Sequence, residues 1–406
     1  MTALPSSCDV LVIGAGPAGS SAAALLHQAG FSVAVVEKQK FPRFVIGESL
    51  LPRVMDLLGE AGLLEAVSAR GYFVKRGALF LRKEERCDFS FADQFTPGWD
   101  HTWQVPRADF DQTLASAVEK RGVPFAWEHE VVAADFSGAP ACTIADSSGA
   151  KQTVRSRFVI DASGYGRALP RLLDLDLPSN FPPRKAVFAH LRGDRRKPGP
   201  DQNRIWIVCL ASGAWAWIIP FSNGLTSFGV VGPLEAFAGY PQEPAACLRA
   251  VMASDPNFER LRHTEFALEP RSLGGYACSV KRLHGPGFAL VGNATEFLDP
   301  VFSSGVTLAL ESANRAAKTA IRQLRGEAVD WEQDYAAYMR RGIDVFRTFV
   351  TTWYDGSLPR ILFQLAPAES VKRMMCSVLA GYVWDLDNPF VREHERKVAQ
   401  VARLSS

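Results

Sequence analysis

Three glycines and one glutamate near the start of the chain have the spacing of a dinucleotide-binding turn. Gly14, Gly16 and Gly19 form a G-x-G-x-x-G pattern, and Glu37 follows after a further stretch of helix and strand length. Such glycines let a pyrophosphate approach the backbone, and the next helix offers amide hydrogens to it. The carboxylate can accept hydrogen bonds from a ribose. The alternative interpretation is an ordinary strand–helix–strand turn without a ligand.

The residues around this pattern predict the elements that position it. Val10–Ile13 and Val33–Val36 are apolar runs of strand length. Between them, small and apolar residues recur at helical spacing from Ala18 to Ala29, and Gly30 ends that helix. The order of strand, glycine turn, helix, strand and acid favours a bound dinucleotide.

The composition narrows the class of protein. The chain has 406 residues, of which 47% are hydrophobic and 22% are charged, and its net charge of +2 is too small to indicate a nucleic-acid partner. No apolar run reaches the length of a membrane span, and residues 1–7 lack the parts of a signal peptide. The seven cysteines form no C-x-x-C pair, which predicts reduced thiols in the cytoplasm and no metal site.

Later segments alternate between two kinds of pattern. The runs 158–161 and 287–292 are continuously apolar, as in the buried strands of a parallel sheet. The runs 185–192, 204–210, 213–220 and 225–232 alternate apolar and polar residues, and Asn223-Gly224 is a strong hairpin signal. We therefore expect a discontinuous α/β domain that is interrupted by an antiparallel sheet.

Three further stretches carry a resemblance to a known family. They are GESLLP at 47–52, which FPR precedes, W-x-W-x-I-P at 215–220, and FLDPVFSSG at 297–305. Together they resemble the FAD-dependent halogenases, within the wider fold of the aromatic-hydroxylase-like flavin monooxygenases. The likeness is greatest to the branch that acts on phenolic or carrier-linked aromatics, and it becomes loose beyond residue 325.

This resemblance implies a division of the chain. Residues 1–71, 103–183 and 279–326 would form the Rossmann-like FAD-binding domain, and residues 72–102 and 184–278 a β-sheet substrate domain. Residues 327–406 would form a C-terminal helical region. The FAD contacts that it implies are Gly14, Gly16, Gly19, Glu37, Lys38, Arg43, Gly47, Glu48, Ser49, Arg107, Asp161, Asn293, Asp299, Pro300 and Gly305.

The same resemblance places a halide at Ser304 and Gly305. The start of a helix there would offer amides and a positive dipole end to chloride, bromide or reduced flavin. The alternative is a simple helix cap made by Ser303 and Ser304.

Lys75 occupies the position of the family's catalytic lysine. In the halogenases, reduced FAD and O2 convert halide to hypohalous acid, which the lysine then binds or carries as a haloamine. A desolvated amine suits this role because burial lowers the pKa of lysine. The alternative is a solvated strand, since Arg76 follows directly.

Trp215 and Trp217 lie two residues apart and therefore share one face of a strand. In the family this pair keeps the organic substrate away from the flavin. Packing of the sheet core is the alternative, and the two roles are compatible.

Three features qualify the resemblance. The stretch Asp161–Gly164 lacks the Asp-Gly pair of single-component hydroxylases, and no second G-x-G-x-x-G exists, which favours reduced flavin from a separate reductase. Asn293 stands where most relatives have an aspartate that holds the ribityl chain, so FAD is expected to bind less tightly. Phe302 stands where tryptophan halogenases have a glutamate.

The function that these features predict is halogenation of an electron-rich aromatic, free or on an acyl or peptidyl carrier protein, in secondary-metabolite or pigment biosynthesis. Two alternatives remain open at this point. One is an FAD-dependent monooxygenase or dehydrogenase of the same fold, and the other is a non-halogenating flavoprotein of a biosynthetic cluster.

Overall fold

The computed structural model describes residues 4–179, 181–364 and 369–404. Its strands in the first part of the chain are β1 (Ser7–Ile13), β2 (Val33–Glu37), β3 (Phe73–Lys75), β4 (Gly77–Arg82), β5 (Glu85–Ser90), β6 (Thr102–Gln104), β7 (Phe125–Trp127), β8 (Glu130–Asp135), β9 (Ala141–Ala145) and β10 (Lys151–Asp161). The later strands are β11 (Asp176–Leu177), β12 (Arg184–Arg192), β13 (Ile205–Cys209), β14 (Trp215–Pro220), β15 (Thr226–Pro233), β16 (Glu265–Phe266), β17 (Arg271–Gly274), β18 (Ser279–Val280), β19 (His284–Gly285) and β20 (Phe288–Leu290).

The helices alternate with these strands until residue 324 and then follow one another. They are α1 (Pro17–Gln28), α2 (Arg53–Glu60), α3 (Leu64–Ser68), α4 (Arg107–Glu119), α5 (Ala168–Leu172), α6 (Pro244–Ser254), α7 (Ser304–Leu324), α8 (Ala337–Tyr354), α9 (Ser357–Gln364), α10 (Glu369–Leu379), α11 (Pro389–Arg392) and α12 (His394–Leu404). Within the described residues, none of the helices is both long and apolar enough to cross a bilayer.

The first sheet is largely parallel, as its continuously apolar strands predict. Its central order is β20-β10-β1-β2-β7, and Ile13 pairs with Asp161 on one side and with Val36 on the other. Parallel strands end at one edge of the sheet, and ligands of such sheets bind beyond the carboxyl ends of the strands. This edge therefore brings the glycine turn, Glu37 and the residues after Asp161 together.

The second sheet has the order β16-β12-β15-β14-β13-β4-β5 and is antiparallel except where β13 runs parallel to β4. One face packs toward the first sheet, with Phe188, Trp215 and Trp217 in the main core. The opposite face packs α6, with Val187, Ala216 and Cys247 in a smaller core. The predicted fold class, an α/β nucleotide-binding domain with an interleaved antiparallel sheet and C-terminal helices, is confirmed. The exact domain boundaries stay a prediction, and residues 1–3, 180, 365–368 and 405–406 of the predicted segments lie outside the described residues.

Three local predictions differ in part from the structure. The alternating pattern of residues 73–91 predicts two strands paired around Lys83–Glu85, and β4 and β5 form that pair, but residues 73–75 form a further strand, β3, which pairs with β6 outside the large sheet. The pattern of residues 233–263 predicts helix, whereas the α-helix covers Pro244–Ser254 and short 3₁₀ turns flank it. A junction between helices is predicted near Gly356 and Pro359; it lies at Gly356, and Pro359 falls in the first turn of α9, where proline is tolerated.

Candidate flavin site

A cavity of about 820 Å³ lies between the two sheets, at the carboxyl edge of the first. Its volume is in the range of cofactor sites. The predicted site residues that line it come from segments far apart in sequence, and they are Gly14, Gly16, Glu37, Lys38, Arg43, Gly47, Glu48, Ser49, Arg107, Trp215, Trp217, Asn293, Pro300, Ser303 and Gly305.

The glycines at one end of the cavity are required by close backbone packing. Gly14 has a φ of +100°, and a Cβ there would lie 2.4 Å from the carbonyl oxygen of Ala162. A Cβ on Gly19 would lie 1.8 Å from the oxygen of Gly14, so Gly19 itself does not line the cavity but lets α1 approach the turn. Because these glycines carry no side chain, the N-terminus of α1 lies directly against the cavity.

Glu37 lies at the end of β2, on the same rim of the cavity. Its Oε2 accepts a hydrogen bond from the Ala15 amide at 2.8 Å, and its Oε1 accepts one from the Gln39 amide at 2.9 Å. Lys38 is exposed and pairs with Glu130. The Glu37 carboxylate thus ties the glycine turn to β2 while it faces the cavity.

Two guanidinium groups share one buried carboxylate beside this end. Asp111 on α4 accepts two hydrogen bonds from Arg107, at 2.8 and 3.0 Å, and one from Arg43 at 3.2 Å. A Cβ on Gly16 would lie 3.4 Å from Nη2 of Arg43. Because one carboxylate balances only one of the two charges, this wall of the cavity carries a net positive charge suited to a pyrophosphate.

Glu48, which lines the cavity, belongs to a buried pair that was not predicted from the sequence. Nε2 of His190 on β12 lies 2.5 Å from Oε1 of Glu48, and both side chains are buried. Oε2 of Glu48 and Oγ of Ser49 are buried without a hydrogen-bond partner in the described part of the chain. Both residues line the cavity, so these oxygens are available to a donor or an acceptor on a bound group.

The far end of the cavity is the N-terminus of α7. Ser303 precedes this 21-residue helix in a left-handed conformation with φ of +57°, and its side chain makes no capping hydrogen bond. The first turn of α7 contains no acidic residue, so no side chain of that turn offsets the positive end of the helix dipole. Gly305 lines the cavity here, whereas Ser304 is buried outside the lining.

Lys75 lies beside the cavity rather than in its lining. It is 2% exposed, its Nζ donates a hydrogen bond to the Leu50 carbonyl oxygen at 2.7 Å, and the Phe91 ring centroid is 5.4 Å away. Burial lowers the pKa of this amine from 10.5 to about 7. Lys75 is therefore not the solvated strand residue of the alternative interpretation, and a large fraction of it is uncharged near neutral pH.

Trp215 and Trp217 both line the cavity, with ring centroids 5.8 Å apart. The Trp217 indole donates a hydrogen bond to Ser227 Oγ at 3.0 Å, and the Trp215 indole donates one to the Tyr354 hydroxyl at 3.0 Å. Both side chains also belong to the core of the second sheet, so the same two residues pack the sheet and line the cavity.

Asp299 and Asp161 are fully buried and lie outside the lining. Oδ2 of Asp299 accepts hydrogen bonds from Arg184, Tyr276 and Tyr354, and burial raises its pKa. Asp161 accepts from the amides of Ser163 and Leu169 and so fixes the turn after β10. Both carboxylates shape the loops that border the cavity.

Four aromatic residues, here called the closing cluster, pack behind the α7 loop. Phe302 contacts Phe349 and Trp353 of α8 at ring centroid distances of 6.1 and 5.9 Å, and Trp353 contacts Phe80 at 5.8 Å. Phe302, which replaces the glutamate of some relatives, is thus surrounded by aromatic rings.

Several residues of the site could not be identified from the sequence pattern. The spacing of Arg107 and Asp111, four apart on a helix, could have been noticed. The pairings of His190 and Tyr354 could not be predicted from the sequence, because their partners Glu48 and Asp299 are 142 and 55 positions away. Within the described residues, no group of three His, Cys, Asp or Glu side chains could hold a metal ion.

Comparison with known proteins agrees with this geometry. The FAD binding domain family matches residues 7–345. A 1H-pyrrole-2-carbonyl-[peptidyl-carrier protein] brominase of Pseudoalteromonas luteoviolacea is 31% identical over 338 residues, which cover 82% of this chain and 81% of the relative.

Two solved structures are similar over nearly the whole chain. A flavoprotein/dehydrogenase of Cytophaga hutchinsonii has 51% identity and a TM-score of 0.96, with 98% of each chain covered. The flavin-dependent brominase Bmp2 has 26% identity and a TM-score of 0.85, with 98% of this chain and 100% of the other covered.

Proposed function

The chain belongs to the FAD binding domain family and, within it, to the flavin-dependent halogenases, and from this premise we propose that it halogenates an electron-rich aromatic with reduced FAD, O2 and chloride or bromide. The observation that carries this proposal is the burial of the Lys75 amine next to the cavity, which lowers its pKa to about 7.

The residues of the cavity fit FAD. The glycine cradle and the α1 N-terminus suit its pyrophosphate, with Arg43 and Arg107 as the balancing cations. Glu37 suits the adenosine ribose, and Asn293 the ribityl chain. The segment Gly47–Ser49, with its two unpartnered oxygens, and the segment Ser303–Gly305 suit the ring system. When bound and reduced, this group supplies the electrons with which O2 becomes an oxidant of halide.

The halide site that we propose is the start of α7. An uncapped helix N-terminus without acidic residues attracts an anion through its amides and its dipole. Gly305 presents its amide to the cavity without a side chain, and the buried Ser304 shapes the turn.

Lys75 is the residue that we propose to transfer the halogen. Its neutral amine can accept the O–H of hypohalous acid in a hydrogen bond, or it can form a haloamine. In the second case the amine nitrogen takes the halogen as its O–X bond breaks, and the amine proton leaves with hydroxide as water. The aromatic carbon then takes the halogen, the electron pair of the N–X bond returns to nitrogen, and nitrogen takes up a proton to restore the amine as the ring releases its own.

Trp215 and Trp217 complete the proposed arrangement by standing between the cavity and the sheet core. Two indoles held by hydrogen bonds on one strand would keep an organic substrate away from the flavin ring while a small acid passes.

The proposed substrate class and partners follow from the relatives, from the surroundings of Phe302 and from the sequence. The carrier-protein brominase among the relatives supports a carrier-bound substrate, and the environment of Phe302 supports one that needs no carboxylate to activate it, such as a phenol. The absence from the sequence of a second nucleotide motif supports a separate flavin reductase. The ungrouped cysteines support a cytoplasmic location.

The test is a single incubation with FAD, a flavin reductase, NADH, O2, bromide and a panel of free and carrier-bound phenols and pyrroles. Mass spectrometry should find the bromine isotope pair in a product. Lys75→Ala should abolish that product, while NADH oxidation by the reductase continues. Products that are oxygenated or unchanged across the whole panel would overturn the proposal.

One observation favours a second candidate, a flavin-dependent dehydrogenase or monooxygenase. The solved structure with 51% identity is described as a flavoprotein/dehydrogenase. Reduction of the bound FAD by NADH or NADPH without a reductase would favour this candidate, and lack of any turnover by a folded, FAD-loaded protein would favour a non-halogenating flavoprotein.

A further inference from the structure

His190 lies on the face of β12 that is turned toward the cofactor cavity. Phe188 and Ala186, which are two and four residues earlier and therefore share this face, line the cavity, whereas His190 does not. The rings of Phe44 and Phe221 enclose its imidazole edge-on, each at a centroid distance of 5.3 Å. A polar ring in such apolar surroundings requires a specific polar partner.

Glu48 is that partner, and it connects the imidazole with the cavity. Its Oε1 bonds to Nε2 of His190, while its Oε2 is buried and makes no hydrogen bond to any residue that the structure describes. Glu48 also lines the cavity. Because a buried oxygen without a partner is costly, Oε2 indicates a polar group that is bound in the cavity. One carboxyl group thus links a ring outside the cavity to a bound group inside it.

The two side chains differ in their access to solvent. The side chain of His190 is 8% exposed, whereas that of Glu48 is 0% exposed. Since His190 does not line the cavity, its exposed part lies elsewhere. A proton from solvent therefore reaches the imidazole before it reaches the carboxyl group, and the carboxyl group is the member of the pair that borders the cavity.

The proposed reaction consumes a proton in this cavity. Oxidation of one halide ion to hypohalous acid by FADH2 and O2 also yields FAD and water, and the equation balances when one proton is taken up. The side reaction of FADH2 with O2, which yields FAD and hydrogen peroxide, takes up none. A positioned proton donor therefore favours halide oxidation over release of peroxide.

We propose that Glu48 and His190 form a proton relay, in which the Glu48 carboxyl group donates the proton that halide oxidation consumes and the His190 imidazolium replaces it. The O–H bond at Oε2 breaks, the N–H bond at Nε2 then gives its proton to Oε1, and the imidazole takes a new proton from solvent. A half-turn of the carboxyl group brings the new proton to the cavity side. The relay rests on the proposed function, and it assigns a role to His190, which the family motifs do not include.

Four cations surround this pair. Lys75 and Arg107 bond to backbone carbonyls within two residues of Glu48, and Arg196 and Arg271 contact the two phenylalanines that enclose the imidazole. The arginines stay charged, but burial lowers the pKa of Lys75 to about 7. The test therefore measures hydrogen peroxide, whose release is decided before any halogen reaches the lysine.

The test compares His190→Gln and Glu48→Gln. The first change keeps a hydrogen-bond donor for Glu48 but cannot pass a proton, and the second keeps the shape of the carboxyl group without its acidic proton. His263→Gln is the matched control, because it makes the same change at an exposed histidine outside the lining of the cavity. His190→Gln should bind FAD as tightly as this control, since the hydrogen bond to Glu48 is retained.

The proteins are supplied with FAD, a flavin reductase, NADH, O2, bromide and a β-diketone, which hypohalous acid halogenates readily. Both relay variants should capture about 10²-fold less halogen than the control, as expected for a lost proton donor, and should release hydrogen peroxide instead. In the wild-type protein the fraction of peroxide should rise with pH, because the donor loses its proton. In both variants it should be high at every pH.

Proton uptake gives a readout that a structural role would not change. In a weakly buffered single turnover followed with a pH indicator, bromide should add one proton taken up per FAD oxidised in the wild-type protein, and far less in His190→Gln.

A peroxide yield of His190→Gln equal to that of His263→Gln would overturn the relay, and so would a wild-type peroxide fraction that does not change with pH. Loss of FAD binding in His190→Gln would also overturn it, because the pair would then be structural. If the wild-type protein captures no halogen at any pH, the proposed function itself fails and the relay with it.

Discussion

The indole Nε1 of Trp215 donates a hydrogen bond to the hydroxyl of Tyr354 across 3.0 Å, and that hydroxyl donates onward to Oδ2 of Asp299, also at 3.0 Å. Trp215 belongs to β14, Tyr354 ends α8, and Asp299 precedes α7. One hydroxyl therefore joins the antiparallel sheet, the C-terminal helices and the loop at the far end of the cavity.

Removing this hydroxyl tests whether its two hydrogen bonds stabilise the folded protein. Tyr354→Phe leaves a buried indole N–H and a buried carboxylate oxygen short of a partner, so the free energy of unfolding should fall by about 1–3 kcal/mol. Urea denaturation followed by tryptophan fluorescence measures it. An unchanged midpoint would show that the three elements are held together without this link.

Trp217 and Gly229 make a second test possible, because a Cβ on Gly229 would lie 2.2 Å from the Trp217 ring. Gly229→Ala should force the indole toward the cavity, cost about 1–3 kcal/mol of stability through overpacking, and weaken FAD binding. Near-ultraviolet circular dichroism and FAD titration measure both effects. Ser227→Ala, which removes the indole's hydrogen bond without crowding it, should leave FAD affinity much closer to wild type.

Lys75 should give the protein a characteristic pH dependence of stability. Burial lowers its folded pKa from 10.5 to about 7. Between these two pH values the unfolded chain carries a proton that the folded protein lacks, so stability rises with pH over this range. Lys75→Met should be more stable than wild type at pH 7, and the difference in free energy of unfolding should shrink by pH 9.5. A constant difference across that range would mean that the amine is charged inside the protein.

Asp111 should contribute more to stability and to FAD affinity than a partly exposed carboxylate on the same helix. Asp111→Asn removes the charge between two guanidinium groups, and breaking such a buried pair costs about 3–5 kcal/mol. FAD affinity should fall as Arg43 and Arg107 lose their common anchor. Asp109→Asn is the matched control, since its pair with Arg70 is partly exposed and is worth about 0–1 kcal/mol. Equal effects of the two changes in thermal unfolding and FAD titration would contradict this assignment.

The sequence predicted those features that depend on local pattern. The glycine turn, its two strands and its helix were predicted because each follows from spacing within about 30 residues. The fold class followed from continuous and alternating apolar runs, and it is confirmed. The three-residue strand β3 could not be predicted, because so short a run has no period to detect.

The candidate site could be predicted only in part. Most of the residues that the motifs identified line the cavity, because in this fold the ligand lies at loops with distinctive composition. The roles of Lys75 and the tryptophans stay predictions. The pairings of Glu48 with His190 and of Asp111 with Arg43 were missed because they depend on how distant elements meet, and no single segment carries a signal of that.

The closing cluster has an evolutionary consequence. The family match ends at residue 345, whereas α8 continues to Tyr354 and supplies Phe349 and Trp353 to this cluster. The last nine positions of α8, from 346 to 354, thus lie beyond the segment that the family shares, and none of them lines the cavity. Substitutions there can change the aromatic packing behind the start of α7 while the residues that line the cavity stay the same.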